Sequence, residues 1–393
     1  MSIPRTAATF APPVMEARRW LDGVSFPAER PLINVSQAAP VDPPPDALRQ
    51  AMADVALTCD DAHLYGPVMG LPNLRHSLAA ETARIYGGAI SGAQIAITSG
   101  CNQAFAAAIA ALCAEGDEVI LPTPWYFNHK MWLDMAGVHS VPLKTDEVLL
   151  PDPDAAEALI TPRTRAIALV SPNNPAGVEY PTALIRAFFQ LAQRHGIKLI
   201  LDETYRDFHA QDGPPHDLFQ DPAWSETLIH LYSFSKAYRL TGHRVGAIGT
   251  HEHLLSEVEK FLDTVAICPG QIGQHAALWG MQNLRQWLAG ERDEILARRA
   301  AIAEGFGPLE KRGWRLLGLG AYFAYVQHPF EMASDDLARH LVREQSILCL
   351  PGTMFCPEDD PSGRRHLRIA FANLDRTGIG HLFQRLLSFA PRP

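Results

Sequence analysis

No uninterrupted apolar stretch in the chain is long enough to cross a bilayer, which argues against a membrane-spanning helix. The opening residues, "MSIPRTAATFAPP", lack the apolar core of a signal peptide. The six cysteines (Cys59, Cys101, Cys113, Cys268, Cys349 and Cys356) form no CxxC pair and no other metal-ligand spacing. Free thiols in a reducing cytoplasm, and no metal, are therefore expected. There is no basic block, and the net charge of −9 makes nucleic acid and anionic membrane poor partners. Internal repeats and low-complexity linkers are also missing, so any domains should pack against one another rather than hang on tethers.

What is present is ordinary for a soluble globular protein: 393 residues, 47% hydrophobic and 20% charged. That length allows two domains, or one large α/β core with an appendage. The first 45 residues are rich in proline and read as an extended arm, with a helix starting at Asp46. From Gln94 a rhythm of short apolar strands and amphipathic helices begins. "QIAITSG", "EVILP", "VHSVPL", "TRAIALVSP", "IKLILDE", "ETLIHLYSFSK" and "RVGAIGT" read as strands. "NQAFAAAIAALCAEGD", stopped by Gly116, "FNHKMWLDMAG" and "TALIRAFFQLAQRHG" read as helices between them. Strands apolar on both faces and alternating with helices imply an α/β fold with a mostly parallel seven-stranded sheet flanked by helices. After His253 the pattern turns helical, with one long helix over "IGQHAALWGMQNLRQWLAGERDEILARRAAIAEGF". It then becomes mixed, implying a smaller α+β domain. The expected division is 1–45 for the arm joining the small domain, 46–275 for the large domain and 276–393 for the small one.

Ligands of a parallel α/β sheet bind beyond the carboxyl ends of its strands. Each of those ends here delivers a polar or aromatic cluster: "TSGCNQ", "TPWYFNH", "SPNNPAG", "DETY" and "SFSK". Singly, each has a plain structural reading as a turn, a helix cap or core aromatics. Jointly they place a lysine, a buried carboxylate, an aromatic platform, an anion cradle and an arginine at one edge. That set suits pyridoxal phosphate. Its aldehyde forms a Schiff base with a lysine amine, and a carboxylate keeps its ring nitrogen protonated. Its phosphate is met by backbone N–H groups, hydroxyls and an arginine fork.

"SFSKAYRLTGHRVG", "TSGCNQA", "NNPAG", "DETY", "HLYGPVMGLPNLR" and "HLRIAFAN", in this order, resemble the class I/II aminotransferases of fold type I, over about Ile33 to Ser388. The resemblance implies that Lys236 holds the cofactor and that Ser233 and Arg244 bind its phosphate, with backbone N–H groups of Gly100, Cys101 and Asn102. It implies that Asp202 meets the pyridine nitrogen, and that Tyr205 and Asn174 meet the ring hydroxyl. Tyr126, or Trp125 one register earlier, would stack on the ring. Tyr65 would reach the phosphate of a partner subunit, making a homodimer with shared sites. Arg368 would clamp the substrate α-carboxylate, with Asn174 nearby, and Arg239 is left as a surface charge. Ala38 stands where the family has a glycine, and its methyl would crowd the substrate side.

The implied reaction is transamination between an amino acid and a 2-oxo acid. Rival readings on the same scaffold are a β-lyase, an amino-acid synthase or a decarboxylase, and, more distantly, a regulator with an aminotransferase-like sensor. The regulator class carries an N-terminal DNA-binding module of roughly a hundred residues, whereas the cofactor domain here begins almost at once. No lysine or arginine occurs between Asp263 and Gln274, where dicarboxylate-specific relatives draw a cation from the partner subunit. A neutral, apolar or aromatic amino donor is the expectation, unless Arg18, Arg19 or Arg30 of the arm reaches the pocket.

Overall fold

The structure, a computed structural model, describes residues 4–390. Strand β1 (Ile33–Asn34) belongs to the arm. Seven strands then build the large sheet: β2 (Ile95–Thr98), β3 (Glu118–Thr123), β4 (His139–Lys144), β5 (Thr164–Val170), β6 (Lys198–Asp202), β7 (Leu228–Ser233) and β8 (Gly246–Gly249). Their order is β2-β8-β7-β6-β5-β3-β4. Only β8 runs antiparallel to its neighbours. Because strand side chains alternate between faces, Val119, Leu121 and Ile200 join one apolar layer, while Ile120, Leu199 and Leu201 join the other. Helices cover both layers. In the helix Thr182–His195, Ile185, Phe188, Phe189 and Ala192 recur at helical spacing and are all buried. Gly196, at φ 64, ends it in the left-handed conformation that glycine adopts at little cost.

The remaining strands are β9 (Arg315–Gly320), β10 (Phe323–Gln327), β11 (Ile347–Leu348), β12 (Leu350–Pro351) and β13 (His366–Ile369). β12, β13, β10 and β9 form an antiparallel sheet in that order. β1 pairs in parallel with β11, Ile33 opposite Ile347, which ties the arm to the C-terminal part. Ile33 and Val35 pack there with Trp314, Val326, Leu341 and Leu382.

Several details differ from the sequence reading. The first long helix ends at Leu112, four residues before Gly116. The long C-terminal helix is two, Gln271–Asn283 and Arg285–Gly305, broken at Leu284 (φ −112, ψ 21), whose side chain is buried beside Ala276, Ala277 and Leu48. β9, with two glycines in "RLLGLG", has weak strand propensity and exists by pairing with β10. The expected boundary at 275/276 falls inside the helix Gln271–Asn283, whose Ala276 and Ala277 pack with Ile97 and Tyr232 of the large sheet.

Candidate active site

Val170 pairs with Asp202, and Asp202 with Leu231, so β5 and β6 end level and β7 runs two residues further, to Ser233. Beyond those ends lies a cleft of about 490 Å³. Cys101, Asn102, Tyr126, Asn174, Asp202, Tyr205, Ser233, Lys236 and Arg244 reach it from the large sheet, Ala38 from the arm and Arg368 from β13. Of the residues assigned to the cofactor or substrate from sequence, Gly100, Tyr65 and the alternative Trp125 do not line it.

Asp202 ends β6 and is buried. Burial alone would raise its carboxyl; a hydrogen bond and charge from His129, with bonds from Thr204, outweigh this and hold it below the ordinary aspartate value. His129 Nε2 lies 3.2 Å from the carboxylate, and its ring stacks on Phe105 at 3.8 Å. An ionised carboxylate is thus fixed at the floor of the cleft, beside the buried Tyr205.

Lys236 follows β7 in the short helix Phe234–Ala237, where the Ser235 N–H donates to Ser233 Oγ at 3.2 Å. Its Nζ donates to Ala38 O at 2.6 Å. Burial, then the positive fields of Arg244 and Arg368, push the amine down to about 7. Arg244 sits at φ 51 and donates to Thr241 O (2.9 Å) and Ser235 Oγ (3.3 Å). Its guanidinium presses against Gly100, which precedes the helix Cys101–Leu112 at φ 87. A Cβ on Gly100 would stand 2.1 Å from Arg244 Nη2, so a bare backbone is required there. Arginine fork, Ser235 hydroxyl and helix N-terminus together make an anion cradle. Burial holds the Cys101 thiol well above its ordinary value, which leaves that residue's N–H as its contribution to the cradle.

Arg368 is buried, and burial lowers its guanidinium to about 10. Nη1 donates to Asn174 Oδ1 at 2.9 Å and Nη2 to Ser36 O, while Nε has no partner. Among the described residues no carboxylate lies within 4.0 Å of it. A cation in that position calls for an anion.

Tyr126 lines the cleft and its hydroxyl bonds Asn102 (3.1 Å) and Asn128 (2.9 Å). Trp125 instead faces a separate cavity, with Lys130 Nζ 5.8 Å from its ring centroid. Tyr65 is 80% exposed and away from this cleft. Arg239 is not a plain surface charge: Glu291 takes it bidentately at 2.8 Å and Trp287 lies beneath it. Sequence reasoning missed Thr204, Ser235, Thr241 and the helix Pro13–Arg19, whose Val14, Met15 and Arg18 also line the cleft. Ser235, next to Lys236, carried a legible signal; the helix, laid over the cleft by the arm, carried none.

The model of the family "Aminotransferase class I and II" matches residues 30–386, and the chain belongs to that family. It is a pyridoxal-phosphate-dependent transaminase. An aromatic aminotransferase of Arabidopsis thaliana is 30% identical over 333 residues, covering 82% of this chain and 80% of that protein. An aspartate/prephenate aminotransferase of Thermus thermophilus is 28% identical over 320 residues, with 78% of each chain covered. Among solved structures, an N-succinyldiaminopimelate aminotransferase of Mycobacterium tuberculosis superposes with a TM-score of 0.86 at 24% identity, over 98% of this chain and 99% of that one. Among the described residues no helix is long and apolar enough to cross a membrane, and no group of three or more His, Cys, Asp or Glu is placed to hold a metal ion.

Proposed function

We propose that the enzyme takes the amino group of a neutral, apolar or aromatic amino acid and passes it to a 2-oxo acid, using Lys236, Asp202 and Tyr205 as catalytic residues. The carrying observation is the pair of cations lining one cleft: Lys236, lowered to about 7, and Arg368, buried without a carboxylate. The residues fit pyridoxal phosphate on three structural grounds. Gly100 leaves backbone room beside the Arg244 fork, Lys236 has only a carbonyl to hold it, and Asp202 is kept ionised in a buried setting.

When bound, the cofactor supplies an electron sink conjugated to the substrate Cα. The chain's own residues then have separate tasks. Asp202 holds a positive charge at the ring nitrogen, and Tyr205 and Asn174 orient the ring hydroxyl. Tyr126 covers the ring face. The N–H groups of Cys101 and Asn102, with Ser233, Ser235 and Arg244, would hold the phosphate, and Gly100, whose own N–H donates to Thr98 O at 2.8 Å, leaves them backbone room. Arg368 orients the substrate α-carboxylate, with Asn174 beside it and Ala38 in the cleft wall. Lys236 Nζ takes the proton from Cα; an amine with a pKa near the working pH is suited to that task.

The apolar substrate class is supported by the walls Val14, Met15, Tyr126 and Phe127 and by the aromatic substrates in the Arabidopsis relative's name. We also propose a cytoplasmic homodimer in which Tyr65 serves the partner's cleft, and a division into arm, large and small domains near residue 45 and at 275/276, the second boundary lying in the helix before the break at Leu284. The unpaired state of all six cysteines supports the compartment. A strip of exposed apolar residues around Tyr65 supports the dimer.

The test is to load the protein with pyridoxal phosphate, reduce it with borohydride, and locate the added mass. A visible band and modification at Lys236 are expected. Single-turnover bleaching of that band should then be faster with phenylalanine, leucine or methionine than with aspartate. A protein that stays colourless overturns the cofactor assignment; faster reaction with aspartate overturns the substrate class alone.

A further inference from the structure

Three consecutive arm residues, Ser36, Gln37 and Ala38, each hold one cation of the cleft. Ser36 O accepts from Arg368 Nη2, Gln37 Oε1 from Arg18 Nη2 at 2.7 Å, and Ala38 O from Lys236 Nζ at 2.6 Å. All three oxygens are neutral amide oxygens, weaker acceptors for a cation than a carboxylate or phosphate. In the proposed function two of these cations exchange that oxygen for a better partner: Lys236 for the cofactor and Arg368 for the α-carboxylate. Nothing in that function engages the third.

Arg18 is placed for such an exchange. It lies on the helix Pro13–Arg19, which forms one wall of the cleft. Its neighbour Arg19 is paired with Glu16 at 2.8 Å and does not line the cleft; nor does Arg30. Among the described residues no carboxylate lies within 4.0 Å of Arg18. Asp202, the one carboxylate lining the cleft, is taken up by His129 and Thr204. Four cations therefore face the cleft: Lys236, Arg244, Arg368 and Arg18. The cofactor aldehyde, the phosphate and the α-carboxylate account for the first three.

We propose that Arg18 is a specificity residue that binds the distal carboxylate of a dicarboxylic 2-oxo acid, the amino acceptor of the second half-reaction. The inference rests on the transaminase reading above and names one of its two substrates. With an apolar donor in the cleft, Arg18 stays on Gln37 and the donor's side chain lies against Val14 and Met15. With a dicarboxylic acceptor, the carboxylate replaces the Gln37 amide in a charge-assisted, fork-shaped contact. One cleft thus accepts two unlike substrates because the cation has a neutral resting partner.

The experiment uses the cofactor-loaded protein and two acceptors of equal chain length, 2-oxoglutarate and 2-oxopentanoate, which differ in the distal carboxylate. The kcat/KM ratio of the first to the second should fall about tenfold or more in Arg18→Met, chiefly through KM, and recover in part in Arg18→Lys. Gln37→Glu, which gives Arg18 a charged resting partner and leaves the arginine in place, should lower the same ratio. Calorimetric binding of glutarate and pentanoate, neither of which reacts, gives the second readout. Glutarate should bind more tightly to the wild type and lose that advantage in Arg18→Met. Ratios unchanged by all three variants, equal losses on both acceptors, or equal wild-type binding of glutarate and pentanoate overturn the proposal. If neither 2-oxo acid is aminated while the glutarate advantage still depends on Arg18, the transaminase reading falls and the carboxylate site stands.

Discussion

A lysine amine brought down to about 7 is a nucleophile at a pH where an ordinary lysine, near 10.4, is almost wholly protonated. The neutral amine is the form that attacks an aldehyde. The rate at which the cofactor-free protein takes up pyridoxal phosphate should therefore rise with pH to a plateau, with its midpoint near 7. Stopped-flow absorbance between pH 5.5 and 9.5 measures it; a rate still climbing steeply above pH 9 would contradict the depressed amine. Gly100 supports a second expectation. Alanine there adds a Cβ at 2.1 Å from Arg244 Nη2 on a backbone at φ 87. Gly100→Ala should weaken cofactor binding at least about tenfold, roughly 1.4 kcal/mol, as read by titration of the visible band. Most of this site was legible in the residues because the chemistry leaves few substitutes for an amine, a carboxylate and a phosphate fork. What stayed hidden acts through backbone or placement. Ser36 and Ala38 contribute carbonyl oxygens, which any residue has, and Arg18 matters only because the arm lays its helix over the cleft.

At the scale of elements, the end of β6 separates two consecutive acids. Asp202 turns to the cleft, and Glu203 turns away into a buried group in which it accepts from Tyr86 Oη and faces His230 (2.7 Å) and His216 (3.2 Å). Burial would raise the Glu203 carboxyl, but the charge and hydrogen bond of His216, then His230, hold it well below the usual glutamate value. A carboxyl depressed in the folded state stabilises above its unfolded value, and that stability disappears as pH falls through the folded value. Urea unfolding should therefore show stability declining once pH drops below about 4.3, more steeply in the wild type than in Glu203→Gln. Near neutrality that variant should lose about 1–3 kcal/mol, because the buried Tyr86 and His230 exchange a charged acceptor for a neutral one. Equal pH slopes would show that Glu203 carries none of the acid sensitivity. The strands themselves were readable because an uninterrupted apolar run has few other destinations in an α/β chain. The break at Leu284 was not, since no proline or glycine marks it and the burial of that leucine beside Ala276 and Ala277 decides it.

At the scale of the whole molecule, one surface strip is difficult to reconcile with solvent. Leu57 is 81% exposed, Tyr65 80%, Leu64 64%, Val265 58% and Ile267 41%. They come from separate parts of the chain, yet they are bound into one surface: Gly66 N donates to Cys268 Sγ at 3.3 Å, and Gln271 Nε2 to Leu64 O at 2.8 Å. Ile267, β-branched, sits at φ 61, a conformation costly enough to need a rigid local setting. A rigid, exposed, apolar strip is the kind of surface that a second copy covers. If the dimer brings Tyr65 to the partner's cleft, every site needs Lys236 from one chain and Tyr65 from the other. A Tyr65→Ala chain and a Lys236→Ala chain, each nearly inactive alone, would then complement each other. In their hybrid, one site carries both lesions and the other carries neither. Random exchange of equal amounts makes half of the dimers hybrids, so about a quarter of the wild-type sites should return, with wild-type KM. Native mass spectrometry can count the hybrids while single-turnover bleaching counts the working sites. Hybrids without recovered activity would mean that Tyr65 serves its own chain, or none, and would leave the strip as an interface without a catalytic share.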